Sequence, residues 1–575
     1  AFKIIHADFV SAEDGTGIVH IAPTFGSDDA NAAKENNVPS MLIKNTKNEL
    51  VPLVNQKGQF IPGLGELSGK FVKDDYYKDG FKPEKSVDVE IAIALKKENK
   101  AFKVEKYEHS YPHCWRTDKP VLYYPLNSWF IKVSSFREDM FSLNKGINWK
   151  PKNTGQGRFG NWLKNANDWN LSRSRFWGIP LPIWQSEDKK ESICVGSIEE
   201  LKEHIDYSIK NGLMDRNPLE EFEPNNFSKE NYRFFDLHRN FVDNIILSSS
   251  SGSPMYREND LIDVWFDSGA MPFAQWHYPF ENKQLIDNFS AYPADFIAEG
   301  IDQTRGWFYT LHAISTMTKK SVAFKNVISN GLVLDSNGQK MSKRLGNAID
   351  PFKTLEKYGP DATRWYMITN AQPWDNLKFD LLGIEEVTRK FFGTLFNVYS
   401  FFAMYANLDN YKFSKAQKNL SLKEIDFWII SRLNSLIKAV DNAYSDYEPT
   451  KAGRLIQDFV INDLSNWYVR LCRKRFWKGD LDKEKIAAYN TLYQCLNKVS
   501  ILISPISPFY SDLLFRDLNE SGGSVHLEFF PEANDSFIDS NLEEKMSLCQ
   551  HISSLILSIR KKEKIKVRQP LSRIL

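Results

Sequence analysis

The stretch LVLDSNGQKMSKRLGN, residues 332–347, places two lysines on a loop between predicted regular elements. A turn signal from Asp335 to Gly338 precedes Lys340 and Lys343, and a glycine follows them. Such a loop can be an ordinary solvated turn. It can also be a clamp whose ammonium groups close over a polyphosphate. The stretch alone leaves both interpretations open, so the choice depends on the surrounding sequence.

The sequence around this loop indicates several domains, since 575 residues suggest about four. Residues 261–365 alternate strand-like and helix-like segments, which is typical of a parallel α/β domain. Residues 1–108 also predict α/β structure, with a strand at 15–23 and a helix at 28–37. Residues 185–258 are more polar and have the character of an insertion.

The C-terminal part predicts amphipathic helices, because apolar side chains recur there every three or four residues. The three series are Ile429, Leu433, Leu436 and Val440; Ile456, Val460, Leu464, Trp467 and Leu471; and Leu492, Cys495, Val499 and Leu502. Helices with one apolar stripe bury it against one another. The sequence therefore predicts a helical bundle from about residue 396 to about residue 520.

Composition is that of a globular protein, with 42% hydrophobic and 26% charged residues. No apolar run reaches the roughly 18 residues that a membrane helix needs, so we expect no membrane partner. Five widely spaced cysteines argue against a disulfide framework and favour a reducing, cytoplasmic setting. A net charge of +1 argues against binding nucleic acid through overall charge, although basic clusters at 470–479 and 559–569 can still contact phosphates.

Polar side chains suited to a ligand cluster in FIAEGIDQTRGWF, residues 296–308. Glu299, Asp302 and Gln303 follow a strand-like run, where they can reach ribose hydroxyls or an amino group. Trp307 closes the segment, and taken singly it is more typical of a core residue than of a ligand contact.

A third notable segment of the predicted α/β region is DVWFDSGAMPFAQWHYP at 263–279. Its Trp265 is also more typical of a core. Asp267 and Ser268 are more typical of helix caps than of chemical groups.

KMSKR at 340–344 resembles the KMSKS signature loop of class I aminoacyl-tRNA synthetases. DVWFDSG and EGIDQTRGWF resemble the isoleucyl branch of that family, as does LSRSRFWGIPLPIW at 171–184. GTGIVHIAPTFGSDD at 15–29 is similar to part of the family's editing domain. These motifs occur in the family's own order, and the resemblance covers essentially the whole chain.

The resemblance implies a multidomain fold. An α/β, Rossmann-like nucleotide-binding domain carries an inserted editing domain and is followed by an α-helical bundle that binds the anticodon. The implied divisions are the C-terminal part of the editing domain at 1–108, the second half of the catalytic nucleotide-binding domain at 109–184 and 259–365, the polar insertion at 185–258, a connector at 366–395, the anticodon-binding bundle at 396–540 and the start of a C-terminal region at 541–575.

The resemblance also implies ATP-dependent attachment of isoleucine to its cognate tRNA through an adenylate. Lys343 is then the principal ATP contact and Lys340 is the supporting catalytic lysine, with Mg²⁺ arriving on the ATP. Arg344 stands where the signature has Ser, which adds positive charge. A clamp of this kind stabilises the charge that builds on the phosphate oxygens as pyrophosphate leaves.

For the adenylate, the resemblance implies that Glu299 and Asp302 bind it, with ribose hydroxyls as partners. Gln303 lies near the aminoacyl end. Trp265 and Trp307 wall an apolar slot for a β-branched aliphatic side chain.

Hydrolytic editing of mischarged valine is implied as well. The matching residues are Asp29, which would hold the misacylated amino group, and His20, which is otherwise read as a core histidine. Two positions depart from the family pattern, since Ile21 stands where Thr is usual and Phe25 where His is usual.

For the tRNA, basic and aromatic residues alternate near position 470 in a way that suits phosphate contact and base stacking. The predicted tRNA-binding residues are Arg470, Arg473, Lys474, Arg475 and Trp477. The spacing puts Trp467 on the core side of its helix. For a single basic run, a solvated helix face is the alternative interpretation.

The family's other signature, HIGH, is missing from this sequence, since none of its ten histidines lies in an H-x-G-H pattern. We therefore expect a piece of a longer, monomeric protein that lacks the first half of the nucleotide-binding fold and the extreme C-terminal region, and that cannot activate an amino acid alone. His109, His113 and Cys114 lie where some relatives bind zinc. Without a fourth ligand they make a poor tetrahedral site, so we expect no metal there.

Three alternatives remain. A valyl or other branched-chain relative would differ only in the side-chain pocket. A non-catalytic tRNA-binding or proofreading protein would naturally lack HIGH. An unrelated nucleotidyltransferase could use the same lysine loop, although the long basic helical tail disfavours it.

Overall fold

The computed structural model describes residues 3–573 except 12, 14, 15, 46, 47, 107, 115, 343–345, 415–419, 478 and 520–522. The chain forms two compact units, residues 1–129 and 130–575. Among the described residues, no helix is both long and apolar enough to cross a membrane.

The first unit is largely irregular. Its described helices and strands are α1 (Ser27–Glu35), β1 (Ile43–Lys44), β2 (Leu50–Val51) and α2 (Val87–Lys97). The helix predicted at 28–37 is confirmed as α1. The strand predicted at 15–23 is wrong for the described residues of that segment, which pair with no described neighbour. A strand forms only where another strand takes its hydrogen bonds.

The second unit begins with short elements and then forms a small α+β insertion. The first elements are β3 (Phe130–Ile131), α3 (Arg137–Asn144), β4 (Asn148–Lys150), α4 (Gly160–Lys164), β5 (Trp169–Asn170) and β6 (Ser172–Arg173). The insertion contains β7 (Ile183–Ser186), β8 (Ser192–Cys194), α5 (Ile198–Lys210), α6 (Arg239–Val242), β9 (Leu247–Ser248) and β10 (Pro254–Arg257).

The insertion has its own core, although its sequence is polar. Its strands form an antiparallel sheet in the order β8-β7-β10-β9. The Ser197 side chain caps α5 by accepting a hydrogen bond from the Glu200 N–H. Leu201 and Ile205, one turn apart on α5, are buried with Trp184. The i, i+4 spacing of these apolar residues explains why this helix faces the sheet.

The α/β part of the second unit continues through a second set of elements. They are β11 (Leu261–Ile262), α7 (Val264–Gly269), α8 (Met271–Ala274), α9 (Lys283–Asp287), β12 (Ala294–Gly300), α10 (Trp307–Lys319), β13 (Phe324–Asn330), β14 (Val333–Leu334), α11 (Pro351–Tyr358), α12 (Pro360–Asn370), β15 (Leu377–Lys378) and α13 (Leu381–Val387).

A parallel sheet in the order β12-β13-β4 forms the centre of this part. Helix α10 connects β12 to β13, which makes a βαβ unit. Trp149 of β4, Phe308 of α10 and Phe324 of β13 are buried together between sheet and helix. The predicted parallel α/β class is confirmed for this part.

The rest of the chain is helical. Its helices are α14 (Gly393–Leu408), α15 (Glu424–Ser445), α16 (Pro449–Asp458), α17 (Arg470–Trp477), α18 (Lys483–Ile503), α19 (Pro508–Leu518) and α20 (Ser540–Lys562), and a π-helical stretch, Phe459–Val469, joins α16 to α17. Twelve of the thirteen predicted stripe residues are buried or pack against the bundle core.

Leu471 is the exception, with 57% of its surface exposed. The π-helical stretch before it winds more than 3.6 residues into each turn. Helix α17 therefore starts out of phase with the stripe, and Cys472 is buried in place of Leu471.

Candidate functional site

Two loops lie side by side at the carboxyl edge of the parallel sheet. Glu299 pairs with Ser329 and Gly300 with Asn330 at the ends of β12 and β13. The loop after β12 carries Asp302 and Gln303, and the chain after β13 leads into the lysine stretch. Ligands of open α/β sheets bind at this edge, in the crevice outside the carboxyl ends of the strands.

The loop after β12 fixes the Gln303 amide. This residue lies in a 3₁₀ turn, Ile301–Arg305, and its Oε1 accepts a hydrogen bond from the Trp307 N–H at 2.9 Å. Its Nε2 donates to the Asp302 carboxylate at 2.9 Å. A Cβ on Gly306 would lie 2.7 Å from Gln303 Oε1, so only glycine leaves room for this contact. Glu299 and Asp302 are exposed.

Helix α7 meets this loop and brings Trp265 close to Trp307, the first residue of α10. The Trp307 indole N–H donates to the Ser268 carbonyl at 3.0 Å. Trp265 lies 3.5 Å, through Cη2, from the position of a Cβ on Gly306. Trp265 is 40% exposed, which argues against a role in the core, whereas Trp307 packs partly against it. The structure thus places Trp265, Gln303 and Trp307 around one glycine.

Asp263 holds this arrangement in place, and sequence reasoning missed it. It is buried, and its carboxylate accepts from Trp169 Nε1 at 3.0 Å, Arg173 Nη2 at 2.6 Å and the Trp265 N–H at 3.2 Å. Asp263 is therefore the cap of α7, so the cap assignment weighed for Asp267 and Ser268 is wrong. The signal was available, since an Asp directly before a helical run is a common N-cap.

The loop that carries Lys340 and Lys343, called here the lysine loop, is anchored at both ends, by Asp335 and Asn347. Asp335 is buried, and its carboxylate accepts from the N–H groups of Asn337 and Gln339. It also accepts from Asn347 Nδ2 at 3.0 Å. These hydrogen bonds lower the pKa of Asp335, and the one from Asn347 has the largest effect. Gly338 has φ 83°, as the predicted turn requires.

Asn347 is the second residue that sequence reasoning missed. Its side chain donates to the Lys340 carbonyl and accepts from the Ser342 N–H at 2.9 Å. The Lys340 side chain is exposed. The predicted ATP contact Lys343 and its neighbour Arg344 lie outside the described residues.

The base of this loop fits closely against the chain before β15. A Cβ on Gly331 would lie 2.3 Å from the Asp375 carbonyl oxygen, which is backbone and cannot move aside easily. Leu332 donates its N–H to Asn376 Oδ1, and β14 pairs with β15.

In the first unit, the two predicted editing residues differ in their surroundings. The Asp29 carboxylate accepts from the Ala22 N–H at 2.7 Å and fixes the turn before α1. His20, two residues before Ala22, is exposed, which argues against its interpretation as a core histidine.

The three zinc candidates lie in a small turn of the same unit. Cys114 donates its N–H to the Lys119 carbonyl, and His113 forms an isolated bridge with Pro120. His109 is exposed. No group of three or more His, Cys, Asp or Glu side chains placed to hold a metal occurs among the described residues.

The family model of tRNA synthetases class I (I, L, M and V) matches residues 87–380, more than half of the chain. The chain belongs to this family of class I tRNA synthetases. A second model, the anticodon-binding domain of tRNA ligase, matches residues 426–575 of the synthetase. The fold predicted for the nucleotide-binding part and the helical bundle is thereby confirmed.

Among curated relatives, the isoleucine–tRNA ligase of Cytophaga hutchinsonii is 62% identical over all of the synthetase chain and 52% of its own length. That of Bacteroides fragilis is 57% identical, again over all of this chain and 52% of its own. The chain spans about half the length of these curated relatives. A solved structure of Mycobacterium tuberculosis methionyl-tRNA synthetase with methionyl-adenylate matches at 15% identity with a TM-score of 0.48, over 70% of this chain and 65% of that one.

Within the part of the synthetase that matches the anticodon-binding model, α17 exposes most of the predicted tRNA-binding residues. Arg470, Arg473, Lys474 and Trp477 are exposed and follow one another at +3, +1 and +3, so they share one face of the helix. Trp467 packs partly against the bundle core, as its spacing predicts.

Arg475 does not belong to this face, and its prediction as an RNA contact is corrected. It is 7% exposed, and its guanidinium donates two hydrogen bonds of 2.8 Å to the fully buried Asp426. The Tyr468 hydroxyl donates to the same carboxylate at 2.7 Å. Arg475 therefore neutralises a buried charge in the synthetase instead of meeting solvent.

Proposed function

We propose that this synthetase uses ATP to attach isoleucine to its cognate tRNA through an isoleucyl-adenylate. The relatives named isoleucine–tRNA ligase support this substrate, since they match the whole chain at 62% and 57% identity. The observation that carries the proposal is the pairing of Glu299 with Ser329 and Gly300 with Asn330. It puts the loop that carries Asp302 and Gln303 beside the start of the loop that carries Lys340.

In the proposed first step, an isoleucine carboxylate oxygen attacks the α-phosphorus of ATP. A bond forms between this oxygen and the α-phosphorus, the bond from the α-phosphorus to the bridging oxygen breaks, and pyrophosphate leaves with the electron pair of the broken bond. Lys343, supported by Lys340, stabilises the charge on the phosphate oxygens. Mg²⁺ enters as part of the ATP substrate. Glu299 and Asp302 hold the ribose hydroxyls.

Trp265, Gln303 and Trp307 form the proposed amino acid pocket. The indoles give an apolar wall for the isoleucine side chain, and the fixed Gln303 amide lies at the aminoacyl end. Valine lacks one methylene, and such a pocket distinguishes the two by only about 1–3 kcal/mol, a figure for which isoleucyl-tRNA synthetase is itself the standard example. We assign removal of mischarged valine to the first unit, with Asp29 and His20 as the editing residues.

The exposed face of α17 is the proposed tRNA contact. Three cations and one indole on that face suit a phosphate backbone with an unstacked base. We place the enzyme in the cytoplasm, consistent with its five free cysteines, and propose from the family resemblance that it is a monomer.

The test is ATP–pyrophosphate exchange by the longest natural polypeptide that contains this sequence, with isoleucine, valine, leucine and methionine offered separately. Strong exchange with isoleucine and weaker exchange with valine is the expected result. Stronger exchange with valine would indicate a valyl enzyme. No exchange with any of the four would contradict the proposal and leave a tRNA-binding or proofreading protein.

A further inference from the structure

A cavity of about 660 Å³ lies between the insertion and helices α7 and α8. Its walls are largely apolar and include Trp184 and Phe222 of the insertion core and Phe266 and Met271 from the two helices. A volume of this size is typical of small-molecule sites.

The cavity uses the side of α7 that faces away from the proposed amino acid pocket. Phe266, Asp267 and Ala270 line the cavity, whereas Ser268 accepts from the Trp307 indole and Trp265 faces Gly306. A ligand in this cavity would therefore occupy a site separate from the isoleucine pocket.

Four lining residues can carry charge, and both basic ones are already engaged. Arg257 is buried, pairs with Asp243 and donates to the Leu181 and Asp260 carbonyls. His277 Nδ1 is 2.8 Å from Glu281.

The two acidic lining residues, Glu199 and Asp267, are different. Within residues 179–280, all of which the structure describes, their carboxylates take part in no hydrogen bond or ion pair. Asp267 is partly buried against the apolar wall. The unmatched charge in the cavity is therefore negative.

Aromatic rings group around His277 in the cavity wall. Phe227, Tyr232 and Phe280 all line it, with ring centroids 5.2, 6.2 and 5.4 Å from that of His277. Aromatic rings attract an ammonium ion placed over a ring face, and more strongly where water is excluded. An apolar, aromatic wall and unpaired carboxylates together favour a cation on an apolar body.

We propose that this cavity binds an organic ammonium compound, with its cationic head near Asp267 and its apolar body along the wall that includes Trp184 and Phe222. Burial, followed by the neighbouring Asp263, raises the pKa of Asp267. A bound cation would offset both effects, because it stabilises the ionised carboxylate.

Calorimetric titration of the chain near neutral pH with phenylbutylamine, phenylbutanol and phenylbutyrate tests this proposal. The three probes share one apolar body and differ in charge. We expect the amine to bind at least about tenfold more tightly than the alcohol, and the carboxylate to bind least tightly. Equal binding of all three, a preference for the carboxylate or no binding by any of them would overturn the proposal.

Variants locate the site. Asp267→Asn keeps the side-chain shape and should reduce the preference for the amine to within about threefold, with binding of the alcohol retained. Glu199→Gln, at an exposed position, should partly weaken the preference for the amine. This variant serves as the test if Asp267→Asn does not fold. Glu203→Gln removes the same charge one turn further along α5, away from the cavity, and should change nothing. A preference for the amine that survives both lining variants would place the cation elsewhere and overturn the assignment.

Discussion

Asn347 donates a side-chain hydrogen bond to the buried carboxylate of Asp335 at 3.0 Å, across the loop that carries Lys340 and Lys343. The same amide donates to the Lys340 carbonyl and accepts from the Ser342 N–H. One side chain therefore sets where the lysine loop begins and ends, while the Lys340 side chain is left exposed.

Asn347→Ala should lower kcat/KM for ATP about 10- to 100-fold. Without its anchor the loop loses conformational entropy each time the transition state forms, which raises the barrier. Melting temperature should change little, since the loop adds little to the core. The measurement is pyrophosphate exchange at varied ATP concentration. Asn337→Ala is the control, because the contact of Asn337 to Asp335 uses its backbone N–H. Equal losses in the two variants would contradict this role for Asn347.

Gly306→Ala should raise the KM for isoleucine and leave folding intact. The new Cβ would lie 2.7 Å from Gln303 Oε1, and the flexible amide would move away from its contact with Trp307. We expect a rise of about 10-fold, as for loss of one positioned hydrogen bond. Gly157→Ala, at a position with nothing within 4 Å of the new Cβ, should leave the KM unchanged. An unchanged KM in both variants would remove Gln303 from the pocket.

Arg475→Met should lower the free energy of unfolding of the bundle by about 3–5 kcal/mol, because it leaves the carboxylate of Asp426 buried without its counter-charge. Urea unfolding followed by circular dichroism measures this loss. Arg473→Met, two residues away and exposed, should cost no more than about 0.5 kcal/mol. The double variant Arg475→Met, Asp426→Leu should recover part of the loss, since it removes both charges together. Similar midpoints for the Arg475 and Arg473 variants would show that the buried pair is not needed.

Replacing Arg473 and Lys474 together by Ala should weaken binding of the cognate anticodon stem–loop RNA about tenfold at moderate salt. It should also reduce the salt dependence of log K by about 2, one for each lost phosphate contact. Fluorescence anisotropy at several salt concentrations gives both quantities. Removing the adjacent exposed pair Lys96 and Lys97 of α2 is the matched control and should have no effect. An unaltered salt slope in the first variant would exclude this face from RNA contact.

His312 should make the nucleotide-binding part sensitive to acid. Its ring is fully buried and 2.8 Å from the Met140 carbonyl through Nε2, and burial lowers its pKa from 6.5 to about 4. The unfolded chain then binds a proton that the folded chain does not, so stability is complete above about pH 6.5 and falls as the pH drops towards 4. The free energy of unfolding falls by up to about 3 kcal/mol over this pH range.

The check is the pH dependence of the urea midpoint in His312→Gln, which keeps an N–H donor without the titration. The slope between neutral and mildly acidic pH should flatten in this variant and stay unchanged in His551→Gln, whose ring is exposed. A slope that persists in His312→Gln would assign the acid sensitivity to other groups.

Much of the fold could be predicted because the signals are local. The stripe Ile429, Leu433, Leu436 and Val440 is buried as predicted, since a 3.6-residue period alone decides which side of a helix is apolar. The turn from Asp335 to Gly338 is likewise a property of its own residues. For the candidate site, sequence reasoning named Glu299, Gln303 and Trp265 but not Asp263, whose partner Arg173 is 90 residues away.

The sequence by itself determined the family and the α/β and helical parts, and it named the residues of the proposed adenylate site, because motifs and periodicity are written in consecutive residues. Tertiary structure alone decided which basic side chains face solvent, where they can contact RNA. Seen as sequence, Arg475 is one more cation of a basic run, yet the π-helical stretch before α17 turns it onto Asp426 and leaves Lys474 outside. The physical reason is that a buried carboxylate must be neutralised by whichever cation the helix phase brings within reach, and this phase depends on the packing of the whole bundle.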